Sequence, residues 1–346
     1  MEVEPFSVAL DPPLGTTHGA MRERRGFLVR IEYGGVEGIG EATPLGGWTE
    51  SKKECRRALD RAATVAAELD WGVALRKLDA PAARHGLALA LADARARTAE
   101  KPLYRTLDGG ADTVSVERVP VNATLGAETT PAPEEAATRA KEAVSAGFGC
   151  LTVKVGTRGV ESDIECVRAV RNAVGDGVTL RVDANGAWTR QEAQQAVDAL
   201  AALGVAYVEQ PLPTVDLAKT ADLRDRGVDI ALDESLAAHD VGTVLDADAA
   251  DVLVLKPMVV GGPDLTAQAA RRCRAADVEP VVSTTVNAVV ARTGAVHVAA
   301  SIPGVGPCGL ATGDRVVRDL APDAAPVEDG AIRVPQEPGL GLTTPP

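Results

Sequence analysis

Short β-branched runs alternate with Ala-rich helical stretches through residues 119–310, and this alternation limits the folds open to the chain. Strands separated by helices must lie parallel, and eight of them favour a closed barrel over an open sheet. Helical periodicity is clearest over 133–146, 164–174, 190–203 and 263–276. The strand-like runs are 119–123, 150–155, 179–182, 207–208, 230–232, 252–255, 280–282 and 308–310.

Charged side chains stand at the carboxyl ends of five consecutive predicted strands. They are Lys154, Asp183, Glu209, Asp233 and Lys256, and successive members lie 29, 26, 24 and 23 residues apart. One strand–helix unit of a barrel takes about that length, since roughly 250 residues make eight units. The five side chains are therefore expected at one level, at the mouth where barrel enzymes place their active sites.

This set of residue types indicates a metal-assisted proton abstraction. Asp183, Glu209 and Asp233 would repel one another and lose solvation at one mouth, so they need a cation. All-oxygen ligation without His or Cys favours a hard ion, Mg²⁺, for which Mn²⁺ is an alternative. Lys154 and Lys256 lie in apolar strands, where burial makes a lysine a usable base. Such a site can remove a proton next to a substrate carboxylate.

Each of these residues also has a plainer explanation when it is taken alone. An Asp before Ala-Asn-Gly, such as Asp183, often makes an Asx turn, and a lysine before proline, such as Lys256, usually extends to solvent. The run from Ser283 to Thr285 could cap the next helix. Helix caps and turns do not explain a set that recurs in order at barrel spacing.

The first third of the chain has a different, α+β pattern. Residues 27–33 and 36–42 alternate as two strands around Gly34-Gly35, which predicts a hairpin. Ser51 with Glu54 predicts the start of a helix over 51–69, and 86–99 reads as another. The expected division is an α+β capping domain (1–112), a barrel (113–320) and a tail (321–346) that returns to the capping domain.

Composition excludes several classes of partner. The formal net charge of -13 argues against nucleic acid, which needs clustered Lys and Arg. No apolar run approaches the roughly 20 residues of a membrane span. Five dispersed cysteines indicate thiols in a reducing compartment, and the acidic N-terminal residues do not resemble a signal peptide. We therefore expect a cytoplasmic protein. The sequence does not determine its oligomeric state, and a homo-oligomer is one possibility.

In this order the motifs resemble those of the enolase superfamily, in its muconate-lactonizing subgroup. The resemblance covers nearly the whole chain and implies a modified (β/α)8-type barrel, (β/α)7β, with an N-terminal α+β capping domain. It implies that Asp183, Glu209 and Asp233 bind Mg²⁺, that Lys154 is the base and that Lys256 is the cation opposite. Asn185 and Glu234 match positions that support those ligands.

Within the subgroup, three segments resemble the o-succinylbenzoate synthase family. This resemblance implies substrate contacts from Thr152 and from Ser283, Thr284 and Thr285, and a mobile lid over 16–25 carrying His18, Arg22 and Arg24. One position departs from the family, because Thr152 replaces the first lysine of its Lys-x-Lys pair. The segments are Gly40–Glu50, Leu180–Thr189 and Leu232–Leu236.

The implied reaction is the Mg²⁺-dependent syn dehydration of 2-succinyl-6-hydroxy-2,4-cyclohexadiene-1-carboxylate to 2-succinylbenzoate, in menaquinone biosynthesis. The substrate class is a small carboxylate. Racemisation of N-acylamino acids and epimerisation of dipeptides stay open, since two lysines permit two bases. Muconate cycloisomerisation and a metal-binding barrel without catalysis are the further alternatives. Dipeptide epimerases usually carry Asp-x-Asp after the eighth strand, and the segment from Cys308 to Asp314 lacks it.

Overall fold

The structure is a computed structural model that describes residues 1–16, 19–107, 115–126, 130–214 and 216–342. Among the helices of these ranges, none combines the length and the apolar character needed to cross a membrane.

A three-stranded antiparallel sheet and four helices form the first part of the chain. The predicted hairpin is present, and the capping box of Ser51 and Glu54 begins the first helix as expected. Gly40 lies so close to Gly86 of the third helix that a Cβ there would meet the Gly86 carbonyl oxygen. The elements are β1 (Glu2–Thr16), β2 (Gly19–Tyr33), β3 (Val36–Ala42), α1 (Lys52–Glu68), α2 (Trp71–Arg76), α3 (Pro81–Thr98) and α4 (Tyr104–Leu107).

The segment expected to be a lid loop is largely strand. Residues 19–25 belong to β2 and pair with β1, from Thr16 opposite Gly19 to Ser7 opposite Arg25. The prediction of a loop over these residues is therefore wrong. Backbone pairing along a long hairpin makes them strand, whereas the family resemblance implied a loop; their role as a mobile lid stays a prediction. His18 lies outside the described residues.

A seven-stranded parallel sheet with intervening helices forms the barrel. Its strands follow one another in chain order from β5 to β11, and helices cover its outer face. The seven strands are β5 (Ala123–Leu125), β6 (Cys150–Lys154), β7 (Thr179–Asp183), β8 (Val205–Glu209), β9 (Asp229–Leu232), β10 (Val252–Leu255) and β11 (Glu279–Val282). The short strand β4 (Arg118–Pro120) precedes them and belongs to a separate sheet with the tail. The helices are α5 (Pro133–Ser145), α6 (Val160–Val174), α7 (Arg190–Ala201), α8 (Leu217–Ala221), α9 (Ser235–Ala238), α10 (Val241–Asp246), α11 (Pro257–Val260), α12 (Pro263–Ala275) and α13 (Val289–Ala300).

The first and last predicted barrel strands take a different form from the one expected. The run 119–123 is split into β4 and β5, which pair with different partners: β4 is antiparallel to a strand of the tail, Ala331–Arg333, and β5 is parallel to β6 of the barrel. The run 308–310 makes two single bridges rather than a strand: Cys308 pairs with Val121 and Gly309 with Ser283. These bridges join the two edges of the seven-stranded sheet, and so they close the barrel.

Side chains alternate between the barrel interior and the outer helices. Tyr207, Ala231, Val252 and Val281, one from each of four neighbouring strands, form a small buried cluster. Glu209 and Asp233 follow two members of this cluster at a spacing of two residues, so they point to the same inner face, nearer the strand ends. The interior is therefore packed below its polar mouth.

The tail contacts both parts of the chain. Its strands β12 (Val327–Glu328) and β13 (Ala331–Arg333) form a sheet with β4. Further on, the Gly339 carbonyl oxygen accepts from the Leu103 N–H at 2.8 Å, and the Leu340 N–H donates to Asp93 Oδ1 of α3 at 2.8 Å. The domain boundaries drawn from the sequence stay a prediction.

Candidate active site

The five charged residues predicted from the spacing lie at consecutive strand ends. Lys154, Asp183 and Glu209 are the last residues of β6, β7 and β8, and they are direct register partners. Asp233 and Lys256 directly follow the ends of β9 and β10. Since neighbouring strands lie about 4.8 Å apart, the five form an arc across the mouth of the barrel.

Each lysine of this arc is ion-paired with a carboxylate. Lys154 Nζ binds Asp183 Oδ2 and also donates to Asn185 Oδ1 at 3.0 Å. Lys256 Nζ donates to Asp233 Oδ2 at 2.6 Å. Burial lowers the pKa of Lys154, but the carboxylates of Asp183 and Glu209 outweigh it, so that the pKa lies above its ordinary value. Both lysines are therefore held at the mouth as partners of the carboxylates.

Glu209 lies between the two ion pairs and has the most perturbed carboxyl group of the arc. Burial raises its pKa well above the ordinary value, and Asp183 and Asp233 raise it further. Burial also raises the pKa of Asp233, against the effect of Lys256. The mouth thus concentrates more negative charge than the two lysines balance.

The donor set fits a hard divalent cation, although the carboxylates are not arranged around one. Within the described ranges, no three Asp, Glu, His or Cys side chains converge closely enough to hold a metal ion as they stand. Asp183 and Asp233 turn one oxygen each to a lysine instead. However, Asp233 Oδ1 is buried without a hydrogen-bond partner, which is costly for a carboxylate and is relieved by a cation. Metal binding by this set stays a prediction.

Asn185 and Glu234 connect the two sides of the arc. The Asn185 amide donates to Glu234 Oε1 at 2.8 Å, and its backbone N–H donates to Asp183 Oδ1 at 2.9 Å. Burial raises the pKa of Glu234 to about 7, and Asp233 and Asp183 add to this effect. Glu234 Oε2 is a second buried oxygen without a partner. These contacts fit the supporting positions expected from the sequence.

Gln210 holds Asp233 in place and was missed in the sequence. Its Oε1 accepts from the backbone N–H groups of Asp233 at 3.2 Å and of Ser235 at 3.0 Å. Its Nε2 donates to the Leu212 carbonyl oxygen at 2.8 Å. Gln210 has a left-handed φ of 41° and is fully buried. The only sequence signal was its place directly after Glu209 and before a proline.

The four hydroxyl residues expected to contact substrate are engaged within the protein. Thr152 lies two residues before Lys154 on the same strand face, and its Oγ1 accepts from Asn122 Nδ2 at 3.1 Å. Ser283 Oγ donates to the Gly309 carbonyl oxygen at 3.2 Å, and the hydroxyls of Thr284 and Thr312 are 3.1 Å apart. Thr285 is bonded to Asn287 in a buried turn. Their substrate contacts stay a prediction.

The two described lid residues behave differently from each other. Arg22 is exposed on β2, whereas Arg24 is buried and donates to the backbone carbonyl oxygens of Thr43 at 2.9 Å, Pro44 at 3.3 Å and Val286 at 3.2 Å. Arg24 therefore fixes neighbouring segments, in contrast to the mobile role expected from the sequence.

Trp48 is a further residue of the site, to which the sequence analysis assigned no function. Its indole ring lies over Lys256 Nζ, with 3.8 Å from the nitrogen to the ring centroid. An aromatic face attracts a cation at this distance. Since Trp48 follows β3 and Lys256 follows β10, the capping domain contributes directly to the mouth of the barrel.

Comparisons with known proteins agree with this architecture. Residues 2–107 match the family model "Mandelate racemase / muconate lactonizing enzyme, N-terminal domain", and residues 135–345 match "Enolase C-terminal domain-like". The o-succinylbenzoate synthase of Thermobifida fusca is 34% identical over 307 residues, which cover 87% of this chain and 78% of that protein.

Epimerases are similar to the chain as well. The L-Ala-D/L-Glu epimerase of Bacillus subtilis is 29% identical over 360 residues, covering 99% of this chain and 95% of that protein. The solved dipeptide epimerase of Enterococcus faecalis, "complexed with Mg and dipeptide L-Leu-L-Tyr", has a TM-score of 0.87 at 27% identity, covering 99% of this chain and 98% of that one.

Proposed function

Because the chain belongs to the enolase superfamily, whose two family models span most of its length, we propose that it is an o-succinylbenzoate synthase. In this proposal it dehydrates 2-succinyl-6-hydroxy-2,4-cyclohexadiene-1-carboxylate to 2-succinylbenzoate, a step of menaquinone biosynthesis. The synthase of Thermobifida fusca supports it, at 34% identity over 87% of the chain. The observation that carries it over the epimerases is the pairing of Thr284 and Thr312 at the rim.

The Thr284–Thr312 pair supports a substrate end that carries hydrogen-bond acceptors rather than an ammonium at this part of the mouth. An epimerase of dipeptides has to bind a substrate ammonium, and a carboxylate is the partner that does this best. Here two hydroxyls meet at 3.1 Å, and the nearby Asp314 is exposed. The hydroxyl pair fits a succinyl side chain, which carries a ketone and a carboxylate that accept hydrogen bonds.

In the proposed mechanism Asp183, Glu209 and Asp233 hold Mg²⁺, or Mn²⁺ in its place. When bound, the ion would offset the charge of the carboxylates that raise the pKa of Lys154, and it would stabilise the negative charge that develops on the substrate carboxylate as the proton leaves. Lys154 Nζ removes the proton next to that carboxylate and then returns it to the departing hydroxyl on the same face. Lys256, ion-paired with Asp233 beneath the Trp48 ring, acts from the opposite side as a cation rather than a second base.

Racemisation or epimerisation at a carbon next to a carboxylate is the second candidate. It is favoured by the lysines at both ends of the arc, and by the similarity to the epimerases of Bacillus subtilis and Enterococcus faecalis. This reaction requires Lys256 to accept a proton, whereas the proposed dehydration does not. The two candidates therefore differ in the role of one residue.

Turnover of the cyclohexadiene carboxylate tests the proposal. The purified chain with Mg²⁺ is expected to form 2-succinylbenzoate, and Lys154→Ala is expected to lose at least about 10³-fold of kcat. Lys219→Ala is the control, because Lys219 is an exposed lysine that is also ion-paired with an aspartate.

Deuterium exchange separates the candidates. N-succinylamino acids and dipeptides are incubated with the protein in D₂O, and the α-proton is followed by NMR. Exchange of both enantiomers without any dehydration would reject the synthase and favour the two-base reaction.

A further inference from the structure

Glu41, a carboxylate on β3 of the N-terminal domain, accepts hydrogen bonds from the backbone at the N-terminus of the barrel helix α13. Glu41 is fully buried, and its Oε1 and Oε2 accept from the backbone N–H groups of Ala288 at 3.1 Å and Ala291 at 2.8 Å. These groups lie at the start of α13, whose own cap residue, Ala288, has no side chain that could accept them. The start of α13 is therefore completed by Glu41, about 250 positions earlier in the chain, together with Asp319, whose Oδ1 accepts from the Val289 N–H at 2.8 Å.

The turn that leads into α13 has an unfavourable backbone conformation. Val286 has a φ of 54°, in the left-handed region that β-branched residues rarely adopt. The Thr284 hydroxyl accepts from the Val286 N–H at 3.2 Å, and Arg24 Nε donates to the Val286 carbonyl oxygen at 3.2 Å. Such a conformation persists only when surrounding contacts hold it.

Arg24 and Glu41 come from neighbouring strands and hold the two ends of this turn. Arg24 binds the turn at Val286, and Glu41 binds it from Ala288 onward. Both are buried, and their opposite charges attract each other. Arg24 also binds the Thr43 carbonyl oxygen, so it joins the turn to the segment that leads to Trp48.

We propose that Glu41 is a positioning residue, which through α13 and the Val286 turn holds the Ser283 and Thr284 hydroxyls at the mouth of the barrel. This inference rests on the proposed function insofar as those hydroxyls contact the substrate. The turn starts directly after Ser283, which is bridged to Gly309, and Thr284 contacts Thr312 across the rim. Release of the turn would displace these hydroxyls without touching Lys154 or its carboxylates.

Glu41→Gln is the appropriate variant, since it keeps the size of the side chain but leaves one acceptor oxygen for the two N–H groups and for the Thr43 hydroxyl, which also donates to Glu41. Asp93→Asn is the matched control. Asp93 is also a fully buried carboxylate, and it accepts from the backbone N–H groups of Ile39 at 3.1 Å and Leu340 at 2.8 Å and from Arg97 Nε at 2.9 Å, none of which belongs to the turn. Both variants are expected to lower the melting temperature.

Only Glu41→Gln is expected to affect the turn and the kinetics. Hydrogen–deuterium exchange of residues 284–291 should become faster, and kcat/KM for the cyclohexadiene carboxylate should fall about tenfold through KM, the effect of one lost hydrogen bond to a charged group. Mg²⁺ affinity should be unchanged. Asp93→Asn should leave all three quantities at the wild-type value.

Two results would overturn the positioning role. In the first, amide exchange of residues 284–291 in Glu41→Gln is no faster than in Asp93→Asn. In the second, this exchange is faster but the KM of Glu41→Gln equals that of Asp93→Asn. Failure of the proposed function is a separate outcome. If the wild-type chain does not dehydrate this substrate, kcat/KM is measured on whichever carboxylate undergoes α-proton exchange. If no carboxylate undergoes α-proton exchange, the amide hydrogen–deuterium exchange of residues 284–291 alone decides whether Glu41 holds the turn.

Discussion

Replacement of Trp48 by leucine tests whether the capping domain holds Lys256 as a cation. The indole centroid lies 3.8 Å from Lys256 Nζ, and the lysine side chain is only 12% exposed. A cation–π contact contributes about 0.5–1 kcal/mol at exposed sites and about 2 kcal/mol when it is desolvated. For this partly desolvated pair we take about 1–2 kcal/mol, which corresponds to a loss of roughly 5- to 30-fold in kcat/KM.

The assay is steady-state dehydration of the cyclohexadiene carboxylate, with two comparison variants. Trp48→Phe keeps an aromatic face and should lose less activity than Trp48→Leu. Trp71→Leu removes an indole from α2 of the same domain and should match the wild-type protein in kcat/KM. Equal activity of Trp48→Leu and Trp71→Leu would refute the role assigned to the Trp48–Lys256 contact.

Two stability predictions follow from groups outside the site. Burial lowers the pKa of His85 from 6.5 to about 4; the unfolded chain therefore binds a proton that the folded chain does not, and the free energy of unfolding should fall by about 3 kcal/mol as pH drops through this window. Urea titrations should show that the free energy of unfolding of His85→Gln depends less steeply on pH than that of the wild-type protein. Part of the remaining dependence is due to His297, because burial also lowers its pKa to about 4. An unchanged pH dependence in His85→Gln would contradict this prediction. Gly40→Ala should destabilise the protein by about 1–3 kcal/mol, because its Cβ would meet the Gly86 carbonyl oxygen, whereas Gly46→Ala, with no atom within 4 Å of its Cβ, should cost less than about 0.5 kcal/mol. Equal thermal shifts for the two glycine variants would show that the contact is absent.

The arc of charged residues could be predicted from the sequence because a parallel barrel repeats in one dimension. Lys154, Asp183 and Glu209 end consecutive strands, and regular spacing along the chain becomes register across the sheet. The same regularity placed most barrel strands within one or two residues of their positions. Local periodicity is sufficient where each element packs like its neighbour.

Contacts between distant segments could not be predicted in this way. Trp48 reaches Lys256, and Glu41 reaches Ala291, across separations that leave no local pattern. Likewise, residues 19–25 were expected to be a lid loop from the family resemblance, yet pairing with β1 makes them strand. These are tertiary effects, which override local preference.

Calorimetric titration with Mg²⁺ tests the central claim most directly, namely that the carboxylates at the barrel mouth bind one divalent cation. The wild-type chain should bind one Mg²⁺, and Asp233→Asn and Glu209→Gln should each bind it at least about tenfold more weakly. Asp198→Asn is the control, since Asp198 is an exposed aspartate paired with Arg226, and it should bind as the wild-type chain does. Equal Mg²⁺ affinity in all four proteins would contradict the account.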